Sequence, residues 1–262
     1  VISLVNSDIT PDRSPKTCTV TWNYYDVFKN VYWEHILVDH MLLEVCGSIY
    51  LACLDVEAVY DFDDDDNLEI TYLAKSSKNT VCNLTNHLYW NLHGEGSDKT
   101  ILDHELKLNC SEVLEMDTVQ IPTGKLLAVK DTPLDFTCGR IFGTDIDSEF
   151  NNIRTFRGYD HCFKVDGWQK NILGEVGELR CAATGRKVTV LSSQPAAVMY
   201  TGNWLAGGCP VTKSGKYYQD YAGVAIECQG FSDAVHHPHF PSIELKADEL
   251  YCNKIVFKLG TF

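Results

Sequence analysis

An all-β protein is what this sequence predicts, and three observations predict it. Short runs rich in β-branched and aromatic residues recur along the 262-residue chain. Turn-forming residues separate those runs. After residue 48 no apolar pattern of helical period is sustained beyond two turns. Many short strands without intervening helices close into a sandwich or another closed β architecture.

Taken in order, residues 1–27 follow no strand-turn pattern before about Trp22 and are expected to be atypical. Residues 34–46 (EHILVDHMLLEVC) fit a helix or a strand equally well. The first clear strand is Leu51–Tyr60. It runs into Asp61-Phe-Asp-Asp-Asp-Asp66, which lacks the glycine and terminal glutamate of an EF-hand loop and reads as a solvated hairpin turn. Leu68–Ala74 then alternates in and out. Glu105–Asn109 and His161–Val165 are further strands. Leu179–Ala183 and Lys187–Ser192 flank Thr184-Gly185-Arg186, a hairpin turn with glycine available for a positive φ. Val198–Thr201, Gly223–Cys228, Ser242–Leu245 and Lys254–Lys258 complete the series. With no linker and no repeat, residues 1–262 read as a single domain.

Composition narrows the function classes. The formal net charge is −14, which repels phosphate backbones and anionic lipid surfaces; nucleic acid and membrane are not expected partners. The longest apolar stretch, Val45–Leu54, is bracketed by Glu44 and Asp55 and is too short to span a bilayer. The opening residues VISLVNSDIT lack the basic and apolar regions of a signal peptide, so a cytoplasmic location is expected. Eleven cysteines occur singly, with no CxxC pair; buried reduced thiols are expected, without a zinc ribbon or thioredoxin motif.

Four segments carry the chemistry. In Asn83-Leu-Thr-Asn-His-Leu-Tyr-Trp-Asn-Leu92, His87 stands amid Asn86, Tyr89, Trp90 and Asn91. Alone, it reads more readily as a structural histidine held by asparagines than as a catalyst. Arg157-Gly-Tyr-Asp-His-Cys-Phe163 holds Asp160 where a strand begins, or at an Asp-capped turn. Cys162 and His161 are not a nucleophile–base pair, since neighbours on a strand face opposite sides. Ser193-Gln-Pro195 and Val198-Met-Tyr-Thr-Gly-Asn-Trp204 bring glutamine, asparagine and aromatics to a strand end. In Gly223–Ala234, Glu227 interrupts an apolar strand. A carboxylate there must be paired, solvated or functional, and burial would shift it toward the range of a general base. His236-His-Pro-His239 reads as a peripheral loop rather than a metal site.

Together with Pro122-Thr-Gly124, these segments resemble in order and spacing the motifs of the aldose 1-epimerase (galactose mutarotase) family. The resemblance covers about residues 47–262 and begins faintly at Phe28–Trp33. It implies a single-domain, two-layer β-sandwich, a galactose mutarotase-like supersandwich, with a concave, aromatic-lined cleft. It also implies interconversion of the α and β anomers of free aldohexoses such as galactose and glucose. Ring opening needs a base at the C1 hydroxyl and an acid at the ring oxygen. The resemblance makes Glu227 the base and His87 the acid. It makes Asp160, Gln194 and Asn86 substrate contacts, with Trp90 or Trp204 covering a sugar face. No cofactor or metal is implied, and a monomer is expected.

The family's Asn-Arg pair and Leu-His-Gly-Gly element have no counterpart here. At about 1.5–3 kcal/mol for each lost charged hydrogen bond, impaired activity and incomplete N-terminal strands are expected. The alternatives are a catalytically weak or inactive carbohydrate-binding relative or fragment, a glycosidase using Glu227 and Asp160, and a sugar-phosphate epimerase.

Overall fold

The computed structural model describes residues 16–23, 54–206, 212 and 215–262, the first of these ranges by backbone alone. The ambiguous stretch 34–46 and the faint onset of the resemblance at 28–33 lie outside the described residues.

Sixteen strands follow one another: β1 (Lys16–Asn23), β2 (Leu54–Phe62), β3 (Asn67–Ser76), β4 (Thr80–Val81), β5 (Tyr89–Trp90), β6 (Glu105–Leu108), β7 (Glu112–Met116), β8 (Pro122–Ala128), β9 (Arg140–Ile141), β10 (Asp160–Lys164), β11 (Gly174–Cys181), β12 (Arg186–Ser192), β13 (Ala196–Tyr200), β14 (Val224–Gln229), β15 (Glu244–Leu245) and β16 (Leu250–Thr261). Eight form one sheet in the order β1-β2-β3-β16-β12-β11-β6-β9, and six form a second in the order β5-β14-β13-β10-β7-β8. Strands β15 and β4 make a small third sheet. Helical structure among the described residues is confined to four three-residue 3-10 turns.

The strand period of two sorts side chains between faces. Ile70, Leu106, Leu179, Val190 and Phe257 of the larger sheet meet Val113, Phe163, Met199 and Ile226 of the smaller one in a single buried cluster. Each such side chain removed from water contributes roughly 1.5–3 kcal/mol. This is the all-β arrangement that the alternating runs predict, in the two layers that the resemblance implies. A second cluster lies on the outer face of the six-stranded sheet. There Leu114, Cys162 and Ala196 are covered by Phe231, Ala234 and Phe240, and the two phenylalanine rings stack at 4.3 Å. That cover occupies only part of the outer face.

The predicted strands from Leu51 onward are present with shifted ends, and Gly185 makes its hairpin turn with φ +66°. The acidic stretch closes the β2–β3 hairpin, where Asp63 Oδ1 accepts the N–H groups of Asp65 and Asn67, both at 2.9 Å. Strands β1, β4, β5, β7, β8 and β9 are additions. β1 pairs with β2 from Lys16↔Phe62 to Asn23↔Asp55, so strand structure begins earlier than the expected Trp22. Its signal is the β-branched Thr17, Thr19, Val20 and Thr21, set behind a proline-containing stretch that reads as irregular. Of the seven cysteines whose side chains are described, all unpaired, five are buried and Cys138 and Cys252 are exposed.

His161 points inward from β10 and is fully buried. Its Nδ1 accepts the Asp160 N–H at 3.0 Å and its Nε2–H donates to the Asn151 carbonyl at 2.8 Å, which fixes a neutral tautomer. Burial lowers its pKa from 6.5 to about 4, against the opposing effect of the Asn151 bond. Below pH 6.5 the unfolded chain binds a proton at this residue that the folded chain refuses until about pH 4. Stability is therefore lost as pH falls through that window, by about 3 kcal/mol from this group. Urea unfolding of the parent and of His161→Gln at pH 7 and pH 4.5 should show a smaller acid loss in the variant. Equal losses would mean that His161 is not held neutral.

Candidate active site

The site begins with a segment that lies beside a strand without pairing to it through its backbone. Residues 82–88 run antiparallel to β14, and their side chains take over the ladder. Asn83 accepts the Gly230 N–H at 2.7 Å and donates to the Gly230 carbonyl at 3.2 Å. Thr85 donates to the Cys228 carbonyl at 2.9 Å, and Asn86 to that of Ile226 at 3.5 Å. Ordinary strand pairing resumes at Tyr89↔Ala225 and Trp90↔Val224. From the opposite sheet, Asn253 donates to the carbonyls of Leu84 at 2.7 Å and Cys228 at 3.0 Å, pinning both partners together.

This docking carries His87 to Glu227. On β14, Val224, Ile226 and Cys228 belong to the core cluster, so Ala225, Glu227 and Gln229 face outward. His87 Nε2 lies 3.5 Å from Glu227 Oε1, with the side chains 24% and 14% exposed. Burial lowers the His87 pKa. Its Nδ1 is buried and has no hydrogen-bond partner among the described residues. The carboxylate in front of Nε2 favours the proton on that nitrogen, which points it toward the open face.

Pairing registers place the rest of the outer face. Val198 sits opposite Glu227, and Tyr200 sits between Ala225 and Asp160. Asp160 is thus two strands across and two residues along from Glu227, about 10 Å by about 7 Å between Cα atoms. Its carboxylate accepts from Gln120 Nε2 at 3.1 Å. Trp204 stands at the rim, 59% exposed, with the Arg157 guanidinium 4.2 Å from its ring centroid. Its backbone N–H donates to the Tyr200 hydroxyl at 3.2 Å.

Three expected contacts sit elsewhere. Trp90 pairs with core-facing Val224, and its ring packs 5.0 Å from Phe257, so it belongs to the core. Asn86 is 5% exposed and spends its side chain on the backbone of Ile226 and Leu88. Gln194 precedes β13, four residues from Val198, about 13 Å along the chain from the level of Glu227. Sequence reasoning passed over Tyr89 as a cleft residue and counted Tyr200 only among the aromatics at a strand end. Their rings are 4.9 Å and 6.0 Å from that of His87. Parity counted from Glu227 through the pairing register finds both.

The polar residues of the Tyr-Thr-Gly-Asn motif are structural. Asn203, fully buried, donates to the carbonyls of Phe156 at 2.9 Å and Tyr159 at 3.2 Å. Thr201 Oγ1 accepts the Tyr159 N–H at 3.0 Å. Gly158, at φ +145°, passes so close that a Cβ there would meet Asn203 Oδ1 at 2.4 Å. These contacts aim the start of β10, and with it Asp160. Among the described residues, the one group of metal-ligand type lies away from this face, at His93, Asp103, His104 and Cys181.

A family model described as aldose 1-epimerase matches residues 16–258, reaching further toward the N-terminus than the motifs alone. Galactose mutarotase of Bos taurus is 36% identical over 211 residues, covering 80% of this chain and 59% of that protein. Aldose 1-epimerase of Haemophilus influenzae is 34% identical over 189 residues, covering 71% of this chain and 53% of that protein. The chain thus spans somewhat more than half the length of these relatives. The crystal structure of a GalM/aldose epimerase homologue from C. elegans superposes with a TM-score of 0.69 at 26% identity, covering 80% of this chain and 61% of that one.

The docking ladder makes a prediction. Asn83→Ala leaves the Gly230 N–H and carbonyl without their side-chain partner, which costs about 1–3 kcal/mol. Urea unfolding should show that loss. An unchanged midpoint would mean that the Asn83 bonds contribute nothing to holding the segment.

Proposed function

This chain belongs to the aldose 1-epimerase family, and from that premise we propose that it interconverts the α and β anomers of free aldohexoses such as galactose and glucose. The observation that carries the reading is the 3.5 Å approach of His87 Nε2 to Glu227 Oε1 on the outer face of the six-stranded sheet. The two oxygens of a hemiacetal share one carbon, so the groups serving them must be close neighbours.

Glu227 takes the proton from the C1 hydroxyl while His87 gives its Nε2 proton to the ring oxygen. The C1–ring-oxygen bond breaks and an open-chain aldehyde forms. After rotation about C1–C2, the ring oxygen attacks the other face of the carbonyl. His87 recovers its proton, and Glu227 returns the other to the new C1 hydroxyl. The glutamate starts ionised and the histidine as imidazolium, its charge facing the Glu227 carboxylate at 3.5 Å; ring opening leaves both neutral, and closure returns both to their starting states. Asp160 accepts a hydrogen bond from a sugar hydroxyl across the cleft. Tyr89, Tyr200 and Trp204 offer aromatic surface to the C–H faces of the ring. The reading of Glu227 and Asp160 as a glycosidase pair leaves His87 without a role.

Polarimetric relaxation of freshly dissolved α-D-galactose tests the proposal: the protein should speed the approach to anomeric equilibrium, and a rate equal to the buffer blank refutes it. Glu227→Gln keeps the volume and removes the basicity, so the rate should fall by about 10²–10⁴-fold with the melting temperature unchanged. A variant within tenfold of the parent would exclude Glu227 as the base. His87→Asn should cost about 10²-fold or more. An unaltered rate there would return His87 to a purely structural role.

A further inference from the structure

A second polar cluster lies on the side of the eight-stranded sheet and takes no part in these proton transfers. His93 sits in the turn after β5, Asp103 and His104 at the end of the 3-10 turn Ile101–Asp103, and Cys181 at the end of β11. The side chains of His93 and His104 are 4% and 0% exposed, while that of Asp103 is 53% exposed. Cys181 is buried. His93 Nε2 is 2.9 Å and 3.0 Å from the two Asp103 oxygens. Cys181 Sγ is 3.8 Å and 3.9 Å from the two His93 ring nitrogens. One donor atom from each of the four residues lies within 4.8 Å of every other.

Tetrahedral zinc holds nitrogen and oxygen at about 2.1 Å and sulfur at about 2.3 Å, which sets neighbouring ligand atoms about 3.4–3.6 Å apart. The His93–Asp103 and His93–Cys181 contacts depart from those edges by about half an ångström or less, and the Asp103 and Cys181 donor atoms lie within 4.8 Å of each other. His104 has a distinct part. Its Nε2 accepts the Leu92 N–H at 2.9 Å, so its Nδ1 keeps the proton and donates it to Asp103 Oδ1 at 2.9 Å. A histidine in that state orients a carboxylate ligand without binding the ion itself.

We propose that His93, Asp103 and Cys181 bind one borderline-soft divalent cation, zinc foremost, with His104 holding the Asp103 carboxylate and a water molecule in the fourth position. On binding, the thiol proton of Cys181 is released to solvent. His93 coordinates through Nε2 and carries its proton on Nδ1. Thiolate and carboxylate together neutralise the two positive charges of the ion, so no net charge is buried. The sulfur and imidazole donors disfavour magnesium and calcium. Exposed Asp103 gives the ion its way in. The bound ion ties the turn after β5 to the end of β11, two places far apart in the chain.

Cobalt(II) titration of the chelator-treated 262-residue chain tests this. One equivalent should produce a thiolate-to-cobalt charge-transfer band, which zinc then displaces. Cys181→Ser should abolish the band, and His93→Asn should weaken binding at least tenfold. A His236→Asn, His239→Asn double variant should leave both unchanged. Zinc at a hundredfold excess over its dissociation constant should raise the melting temperature of the parent by several degrees. That rise should vanish in His93→Asn, a readout that holds even if Cys181→Ser folds poorly. The absence of a charge-transfer band in the parent overturns the proposal. So does a zinc-induced rise that persists undiminished in His93→Asn.

Discussion

The geometry of the outer face depends on one substitution of kind: side chains stand in for a backbone ladder along β14. Asn83 bonds Gly230 both ways, and Thr85 and Asn86 reach the next two outward-turned carbonyls. A strand pairing through its backbone would leave successive residues alternating at fixed spacing. A segment held by its side chains is free to turn His87 out of that alternation and toward Glu227. The arrangement demands close approach. A Cβ on Gly230 would meet Ile243 Cγ2 at 2.5 Å and Asn83 Oδ1 at 3.1 Å, so glycine is required there. Net, each of these bonds contributes about 1 kcal/mol, but a buried partner left unmet costs more. The cooperative loss is what makes the docking rigid.

The motifs consequently divide their labour unevenly. Asn83, Thr85, Asn86, Thr201, Asn203 and His161 spend their polar atoms on the backbone. His87, Glu227 and Asp160 are what that expenditure holds up, on an open part of the sheet. Tyr251 extends the same logic from the other layer, its hydroxyl accepting from the Leu84 N–H at 3.1 Å and donating to the Leu84 carbonyl at 3.2 Å. The core and the outer face are thus joined by hydrogen bonds through the 82–88 segment as well as by packing.

Most of the strand content was legible in the sequence, because alternation of apolar and polar residues is a local signal. Facing was legible only where a charge marked the strand, as at Glu227. Trp90 and Tyr89 show the limit. The two are adjacent, so choosing between core and cleft needs the pairing register with β14, and register is set by residues more than a hundred positions away. Gln194 lies between β12 and β13, outside both ladders, where strand parity does not assign it a face. The cluster at His93, Asp103, His104 and Cys181 was invisible to cysteine spacing, since its members assemble from three separate places in the chain. β1 was obscured by the irregular residues before it, although its own threonines and valine carry the signal.

The place of β16 in the larger sheet bears on how the protein is made. It lies between β3 and β12, and both of its long edges are paired. Asn253, on the same strand, grips Leu84 across 169 residues of sequence. As a nascent chain leaves the ribosome, β3 and β12 therefore emerge with exposed edges and must wait for the strand that separates them. Such non-local pairing slows folding, and unpaired edges invite contact with other chains. In a growing cell, chaperone occupancy during that interval should govern yield more than the stability of the finished sandwich.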